Sequence, residues 1–239
     1  MESVLDPDFF VIGIAWYVVL LFSLTVHEAA HAFAAFRGGD RTAYLGGQAS
    51  LDPVPHMRRE PLGTVVFPIL IYLISGGRWM FGWASTPFDP EWARQHPRRA
   101  AWMSIAGPAA NLLLAVLAGA ALRAGLQAGV FTPDYAGFTH LVGAAQGGVW
   151  AAAGTVLSIV FTLNLVLFVF NLFPIPPLDG AGAIGLLLPE AGARRLQETF
   201  SSPPLALFGL LFVWWLFPRV FEPIHLAALA FLYAGVTPS

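Results

Sequence analysis

The sequence contains no cysteine, and this absence limits the chemistry available to the chain. No disulfide can form, and no thiolate can serve as a nucleophile or as a metal ligand. A transition metal would therefore have to be held by histidine, aspartate or glutamate side chains.

Charged residues are also scarce. They make up 11% of the 239 residues, whereas a soluble globular domain carries about 25%. Hydrophobic residues make up 57%, and the mean hydropathy is +0.68. This balance indicates an integral membrane protein in contact with the lipid bilayer. Lysine is absent, and the arginines form no continuous basic stripe for a phosphate backbone, so nucleic acid is excluded as a partner.

Long apolar runs predict an all-α, polytopic helical bundle. A span needs about 20 apolar residues to cross a hydrocarbon layer of about 30 Å. Three runs are each long enough to span: 9–36, 101–122 and 149–173. Two later and shorter runs, 205–217 and 224–236, form either one span with an interfacial helix or a hairpin.

The arginines predict the orientation of the bundle. Two arginine-rich loops, 37–62 and 78–99, belong on the cytoplasmic side by the positive-inside rule. The apolar run between them, 63–75, is too short to cross, so we expect a re-entrant segment after the first span. We expect one domain over 1–239, with its core at about 9–190 and a C-terminal hydrophobic segment at about 203–236.

The stretch "YLGGQASLDPVP" at 44–55 predicts a short strand or β-hairpin, because Gly-Gly and two prolines flank an alternating pattern. We expect this hairpin to be associated with the membrane. A strand near Gly46–Leu51 would offer an edge on which an unwound substrate could pair.

The motif "HEAAH" lies inside the first apolar run, where charge is costly. His27 and His31 are four residues apart, so a helix places both imidazoles on one face as a chelating pair. Glu28 is placed to contact a metal-bound water without binding the metal, which is the HExxH arrangement. The alternative is a pair of buried, hydrogen-bonded histidines beside a glutamate without a chemical role.

A two-histidine zinc site needs a third protein ligand. Asp179, in "NLFPIPPLDG", has suitable chemistry, since the prolines end the helix and an extended path could return its carboxylate to the metal. An ordinary proline-rich turn with a solvated aspartate explains the same residues equally well.

Asn171 could hydrogen-bond an oxyanion, or simply end its helix. Asn111, in "AGPAAN", is expected to bond between helices, and Gly107 to allow close helix packing.

Together, "HEAAH", "AGPAAN" and "NLFPIPPLDG" resemble the site-2 protease family of intramembrane zinc metalloproteases. "GGQASLDPVPH", "PLGT" and "FGWASTPFDP" are similar to loops of its short prokaryotic members, without inserted PDZ-like or CBS-like domains. The resemblance implies that His27, His31 and Asp179 bind one zinc ion, that Glu28 is the catalytic base and that Asn171 assists near the active site.

The resemblance also implies a function. Family members cleave transmembrane or membrane-adjacent segments of other proteins, so we expect a membrane-protein substrate. We expect hydrolysis by a water that zinc activates and Glu28 deprotonates. The expected location is a prokaryotic cytoplasmic membrane, with the active site opening towards the cytoplasm. A membrane zinc-binding or transport protein without proteolytic activity is the alternative.

Overall fold

The computed structural model describes residues 7–144, 146–200 and 203–236. Apart from one β-hairpin, the regular structure in these ranges is helical. The helices in chain order are α1 (Pro7–Gly38), α2 (Thr42–Leu45), α3 (Pro53–Arg59), α4 (Phe67–Ile74), α5 (Pro90–Gln95), α6 (Pro97–Gln127), α7 (Gly148–Asn171), α8 (Asp179–Ala183), α9 (Glu190–Phe200) and α10 (Pro203–Tyr233).

Within the described ranges, four helices are long and apolar enough to cross a membrane: α1, α6, α7 and α10. The predicted polytopic helical bundle is therefore confirmed. The two C-terminal apolar runs form a single helix, α10, which contains Pro218 and Pro223 without ending at either. The hairpin alternative for this region is wrong.

The central helices of the bundle are α1, α6 and α7. Helix α6 packs against both α1 and α7, and its buried alanines, Ala115 and Ala118, allow close approach. Trp16 of α1 and Ile159 of α7 belong to one buried hydrophobic cluster. In its most apolar window α7 is 61% buried and α10 only 17%, so α10 lies at the periphery with most of its surface available to lipid.

The apolar run after α3 forms one short helical stretch. A π-helical turn at Leu62–Val66 continues into α4, giving the apolar helix Leu62–Ile74. Its 13 residues would extend roughly 20 Å, which is less than a bilayer core. The re-entrant path therefore stays a prediction that this length supports. Gly63 packs directly on Trp83, and its carbonyl accepts a hydrogen bond from the Trp83 N–H at 3.1 Å.

The predicted strand or hairpin at 44–55 is wrong. Asp52 accepts a hydrogen bond from the Val54 N–H and caps α3, and Pro53 fits the first helical turn, where its missing N–H costs nothing. Gly47 has a φ of +76° in the turn between α2 and α3. No strand edge is therefore available at Gly46–Leu51.

The hairpin instead follows α6. Strands β1 (Phe131–Gly137) and β2 (His140–Ala144) pair antiparallel, with Phe131 opposite Ala144. Phe131, Leu141 and Val142 are buried against the helices, and the Tyr233 hydroxyl donates to the Leu141 carbonyl. Leu141 and Val142 are neighbours and face opposite sides of the hairpin, so the hairpin is packed on both sides and lacks the alternating pattern expected at 44–55.

Candidate metal centre

Helix α1 places the first two candidate ligands. His27 and His31 lie one turn apart, and both side chains are buried. Their Nε2 atoms are 3.0 Å apart. The outer ring nitrogens are held elsewhere: Nδ1 of His31 is 2.7 Å from the carbonyl oxygen of Met103, and Nδ1 of His27 is 2.5 Å from Oδ1 of Asn111. Both Nε2 atoms are therefore directed to one point.

The segment after α7 brings Asp179 to the same point. This segment is folded into short turns: the Ile175 N–H donates to the Phe173 carbonyl, and the Leu178 N–H donates to the Ile175 carbonyl. The expected extended path is therefore wrong, although the segment does return Asp179 to the histidines. Asp179 begins α8. Its two carboxylate oxygens lie 3.1 Å from Nε2 of His27 and 3.3 Å from Nε2 of His31.

The charge state of Asp179 suits a cation. Burial would raise the pKa of this carboxyl, but the His31 and His27 side chains outweigh burial and hold the pKa below its usual value. The group is therefore ionised at neutral pH. An anionic oxygen beside two imidazole nitrogens is a donor set typical of catalytic zinc sites.

The spacing of these atoms fits a zinc ion. One donor atom each from His27, His31 and Asp179 all lie within 4.8 Å of one another. A tetrahedral zinc with bonds of about 2.0–2.1 Å holds neighbouring ligand atoms roughly 3.3 Å apart. The observed separations of 3.0 to 3.3 Å are close to that value.

Gly107 supplies a second observation for the fit. A Cβ at this position of α6 would lie 2.3 Å from Nε2 of His31 and 2.6 Å from Nε2 of His27. Those distances are close to a zinc–nitrogen bond length, so the missing side chain leaves space in front of both donor atoms. The sequence suggested only helix packing for Gly107.

Glu28 lies beside this cluster and is buried. The Thr86 hydroxyl is 2.7 Å from Oε2 of Glu28 and 2.9 Å from its main-chain oxygen, so it can donate to the carboxylate and fix its position. Glu28, His31 and Asp179 line one cavity of about 840 Å³. Its other walls come from residues 84–90, the start of α6, and α9.

Asn171 has a hydrogen-bond partner in its own helix. Its Nδ2 donates to the Leu167 carbonyl at 3.0 Å, one turn earlier in α7. Asn171 does not line the cavity among the described residues. Its assignment to the active site therefore stays a prediction.

Sequence reasoning did not single out Thr86 or His56. His56 of α3 is 1% exposed, and neither ring nitrogen has a hydrogen-bond partner among the described residues. Burial lowers the pKa of His56, although the nearby Glu28 carboxylate opposes that shift. Both residues lie in stretches quoted above for the resemblance, but no local pattern gives their roles, because Thr86 contacts Glu28 and His56 approaches it only through the packing of separate segments onto α1.

Comparisons with known proteins show the family of this chain. The model of peptidase family M50 matches residues 15–215. YwhC of Bacillus subtilis (strain 168) is 35% identical over 197 residues, which cover 82% of this chain and 78% of YwhC. Rip2 of Mycobacterium tuberculosis (strain ATCC 25618 / H37Rv) is 33% identical over 208 residues, covering 87% of this chain and 67% of Rip2.

A third relative is Rip2 of Mycolicibacterium smegmatis (strain ATCC 700084 / mc(2)155), which is 32% identical over 164 residues, covering 69% of this chain and 53% of that protein. The names of all three describe them provisionally as zinc metalloproteases. No solved structure matches the chain. The chain belongs to peptidase family M50, the site-2 protease family, and is a multi-pass membrane zinc metalloprotease.

Proposed function

We propose that this protein is an intramembrane endopeptidase that hydrolyses peptide bonds in or near transmembrane segments of other membrane proteins. His27, His31 and Asp179 hold one zinc ion, and Glu28 acts as the general base. The observation that carries the proposal is the convergence of these three donors within a bundle of membrane-spanning helices, where His31 and Asp179 line one cavity together with Glu28.

The protein side chains have distinct chemical roles in this proposal. Zinc, when bound, supplies a Lewis acid that polarises the scissile carbonyl and makes water more acidic. Glu28 accepts the proton of the attacking water and returns it to the leaving amine. Thr86 holds the Glu28 carboxylate towards the cavity. Asn171 is proposed to assist the substrate or the oxyanion after a local rearrangement that frees its amide from Leu167.

The substrate must be unwound before attack, because a helix hides its carbonyls in hydrogen bonds. Residues 79–89 carry neither helix nor strand, and their final part borders the cavity. Within the described residues, the N–H groups of Ala84 and Thr86 donate to no other group. We propose that an unwound substrate pairs with this backbone, in place of the strand expected at Gly46–Leu51.

The cavity is proposed to open towards the cytoplasm. His27 lies 11 residues before Gly38, so it sits roughly 16 Å inside the C-terminal end of α1. That end meets the start of α6, where Arg99 donates to the Gly38 carbonyl at 3.0 Å. Arg37, Arg41 and the arginines at 94–99 belong to segments at this end, which supports a cytoplasmic opening by the positive-inside rule. Arg78 departs from the expected side, because its neighbour Gly77 packs on Phe9 at the other end of α1.

The test uses detergent-purified full-length protein and its Glu28→Gln and Asp179→Ala variants. We expect about one zinc per wild-type chain, retention of zinc in Glu28→Gln and a large loss in Asp179→Ala, each measured by elemental analysis. Cleavage of tagged single-span proteins carrying Gly and Pro in the span should fall at least about 100-fold in Glu28→Gln.

Two outcomes would contradict the proposal. Wild-type zinc that does not depend on Asp179 would show that the third ligand is wrong. Cleavage by Glu28→Gln at the wild-type rate would remove Glu28 as the base. Zinc flux through proteoliposomes without cleavage of any tested span would favour the transport alternative.

A further inference from the structure

A buried chain of hydrogen bonds leads away from the candidate metal centre. It begins at Nδ1 of His27, which is 2.5 Å from Oδ1 of Asn111. Nδ2 of Asn111 donates to Oδ1 of Asn164 at 2.7 Å. Nδ2 of Asn164 donates to Oγ of Ser23 at 2.9 Å and to the main-chain oxygen of Val160 at 2.9 Å. The side chains of Asn111, Asn164 and Ser23 are all 0% exposed.

These contacts connect three membrane-spanning helices. Ser23 and His27 are on α1, Asn111 is on α6 and Asn164 is on α7. A buried amide is retained in an apolar bundle only when its hydrogen bonds are made, since each unpaired polar group costs about 1–3 kcal/mol. Holding helices together accounts for the pairing of Asn111 with Asn164. It does not account for the extension of these hydrogen bonds to His27, a candidate metal ligand.

The donor-to-acceptor direction of this chain of hydrogen bonds is fixed at Asn164, the end far from the candidate metal centre. The main-chain oxygen of Val160 can only accept, so the Asn164 atom facing it must be the Nδ2 donor. Oδ1 of Asn164 therefore faces Asn111. Because an amide oxygen can only accept, Asn111 must present Nδ2 to it and Oδ1 to His27.

The same reasoning assigns the proton of His27. Oδ1 of Asn111 can only accept, so Nδ1 of His27 carries a hydrogen, and Nε2 is the ring atom left for a metal. Nε2 is the atom that faces His31 and Asp179. Outer hydrogen bonds that fix the ring and tautomer of a ligating histidine typically change metal affinity 10–100-fold when they are lost.

We propose that Asn164 is a positioning residue for the metal centre. Acting only through Asn111, it holds a hydrogen on Nδ1 of His27 and keeps Nε2 directed at the metal position, and so raises the affinity for zinc. The proposal rests on the zinc site proposed above. Asn164 itself touches neither the candidate ligands nor the cavity.

The first measurement is the zinc dissociation constant of full-length protein in detergent, obtained by competition with a chromophoric chelator. Asn164→Leu should bind zinc about 10–100-fold more weakly than the wild type. The matched control is Ser158→Ala, which also removes buried hydrogen bonds of α7, to Gly154 and Leu141, but lies six residues before Asn164 and outside the chain that reaches His27. Its zinc affinity should not change.

A double-mutant cycle separates positioning from general loosening of the bundle. Because Asn164 acts through Asn111, Asn111→Leu and the double variant Asn111→Leu/Asn164→Leu should bind zinc equally weakly. Additive losses would overturn the proposal, as would wild-type affinity in a folded Asn164→Leu. If Asn164→Leu does not fold, Asn164→Ala removes the same contacts without added bulk and is judged by the same criteria.

Histidine ring ¹⁵N spectra of the zinc-free protein provide a readout independent of zinc. Wild-type His27, identified by the loss of its signals in His27→Gln, should show a protonated Nδ1. Asn164→Leu should shift it towards the Nε2–H tautomer, and an unchanged tautomer would overturn the proposal. Absence of zinc from the wild type would contradict the proposed function instead, since the tautomer is measured without metal.

Discussion

Gly107 is a residue whose missing side chain matters at the metal centre. Its Cβ would fall in front of Nε2 of both His27 and His31, at 2.6 and 2.3 Å. Real Cβ contacts are essentially never shorter than 3.0 Å, so a methyl group here must displace the rings or occupy the metal position. The glycine of "AGPAAN" thus belongs to the site as well as to helix packing.

The first prediction follows from this geometry. Gly107→Ala should purify with little zinc and show little cleavage, while remaining helical by circular dichroism. The matched control is Gly119→Ala on the same helix, whose Cβ would meet only the ring of Phe161, at 2.9 Å. A side-chain ring can rotate aside, so Gly119→Ala should keep its zinc. Normal zinc content in Gly107→Ala would contradict the assignment of this space to the metal.

Asp179 depends on its neighbours in a similar way. A Cβ on Gly180 would lie 2.3 Å from the Leu172 carbonyl oxygen, so only glycine allows α8 to start directly beneath the end of α7. This contact turns the chain back and brings Asp179 to the two histidines. The "LDG" sequence therefore combines the candidate ligand Asp179 with Gly180, the glycine that lets the chain turn back and place that carboxylate beside the histidines.

At the scale of elements, the segment before α8 is supported by α10. Gly209 of α10 lies so close to this segment that its Cβ would be 2.5 Å from Cγ2 of Ile175 and 2.5 Å from the main-chain oxygen of Pro176. These two residues belong to the turns that lead to Asp179. The peripheral helix α10 thus takes part in positioning Asp179, the proposed third ligand.

Gly209→Val should therefore weaken zinc binding, because α10 must move away from the turns that hold Asp179. The zinc dissociation constant of detergent-purified protein measures the effect, and a rise of about tenfold is expected, the lower end for lost support around a metal ligand. Leu207→Val on the same helix is the control, since Leu207 is 59% exposed and faces lipid. Equal zinc affinity in the two variants would show that α10 does not support the site.

At the scale of the whole molecule, the metal centre joins distant parts of the fold. His27 and His31 belong to α1, whereas Asp179 begins α8, 152 residues after His27. A metal bound only by the folded protein stabilises it, by about 2.7 kcal/mol when free metal is 100 times the dissociation constant. Zinc should therefore stabilise the packing of α1 against the segment that carries Asp179.

Removal of zinc should lower the thermal transition temperature. For a chain of this length we expect a decrease of roughly 5–10 °C when a chelator is added to the zinc-loaded protein. Asp179→Ala should show a much smaller decrease, because it binds little zinc. Light scattering or tryptophan fluorescence during heating measures the transition. A wild-type protein stripped of zinc with an unchanged transition would contradict a linking role for the metal.

Much of this protein can be predicted from local patterns. The apolar runs predicted three of the four long helices, α1, α6 and α7, and left the form of α10 open. Four-residue spacing placed His27 and His31 on one face of α1. The resemblance of three ordered motifs indicated the family and Asp179. These inferences succeed because a membrane span is defined by its own length and composition, and helical spacing by its own geometry.

Tertiary structure decided the rest. The alternating pattern at 44–55 suggested a strand, but the Asp52 cap and Pro53 favour a helix. The hairpin forms instead at 131–144, where Leu141 and Val142 are both buried against the helices. The contacts of His27 with Asn111 and of Glu28 with Thr86 join residues 84 and 58 positions apart. No local pattern encodes such pairs, because they arise only when α1, α6 and the loop before α5 pack together. The sequence by itself thus determined three spans and the candidate ligands, whereas packing decided the form of α10 and which side chains orient those ligands.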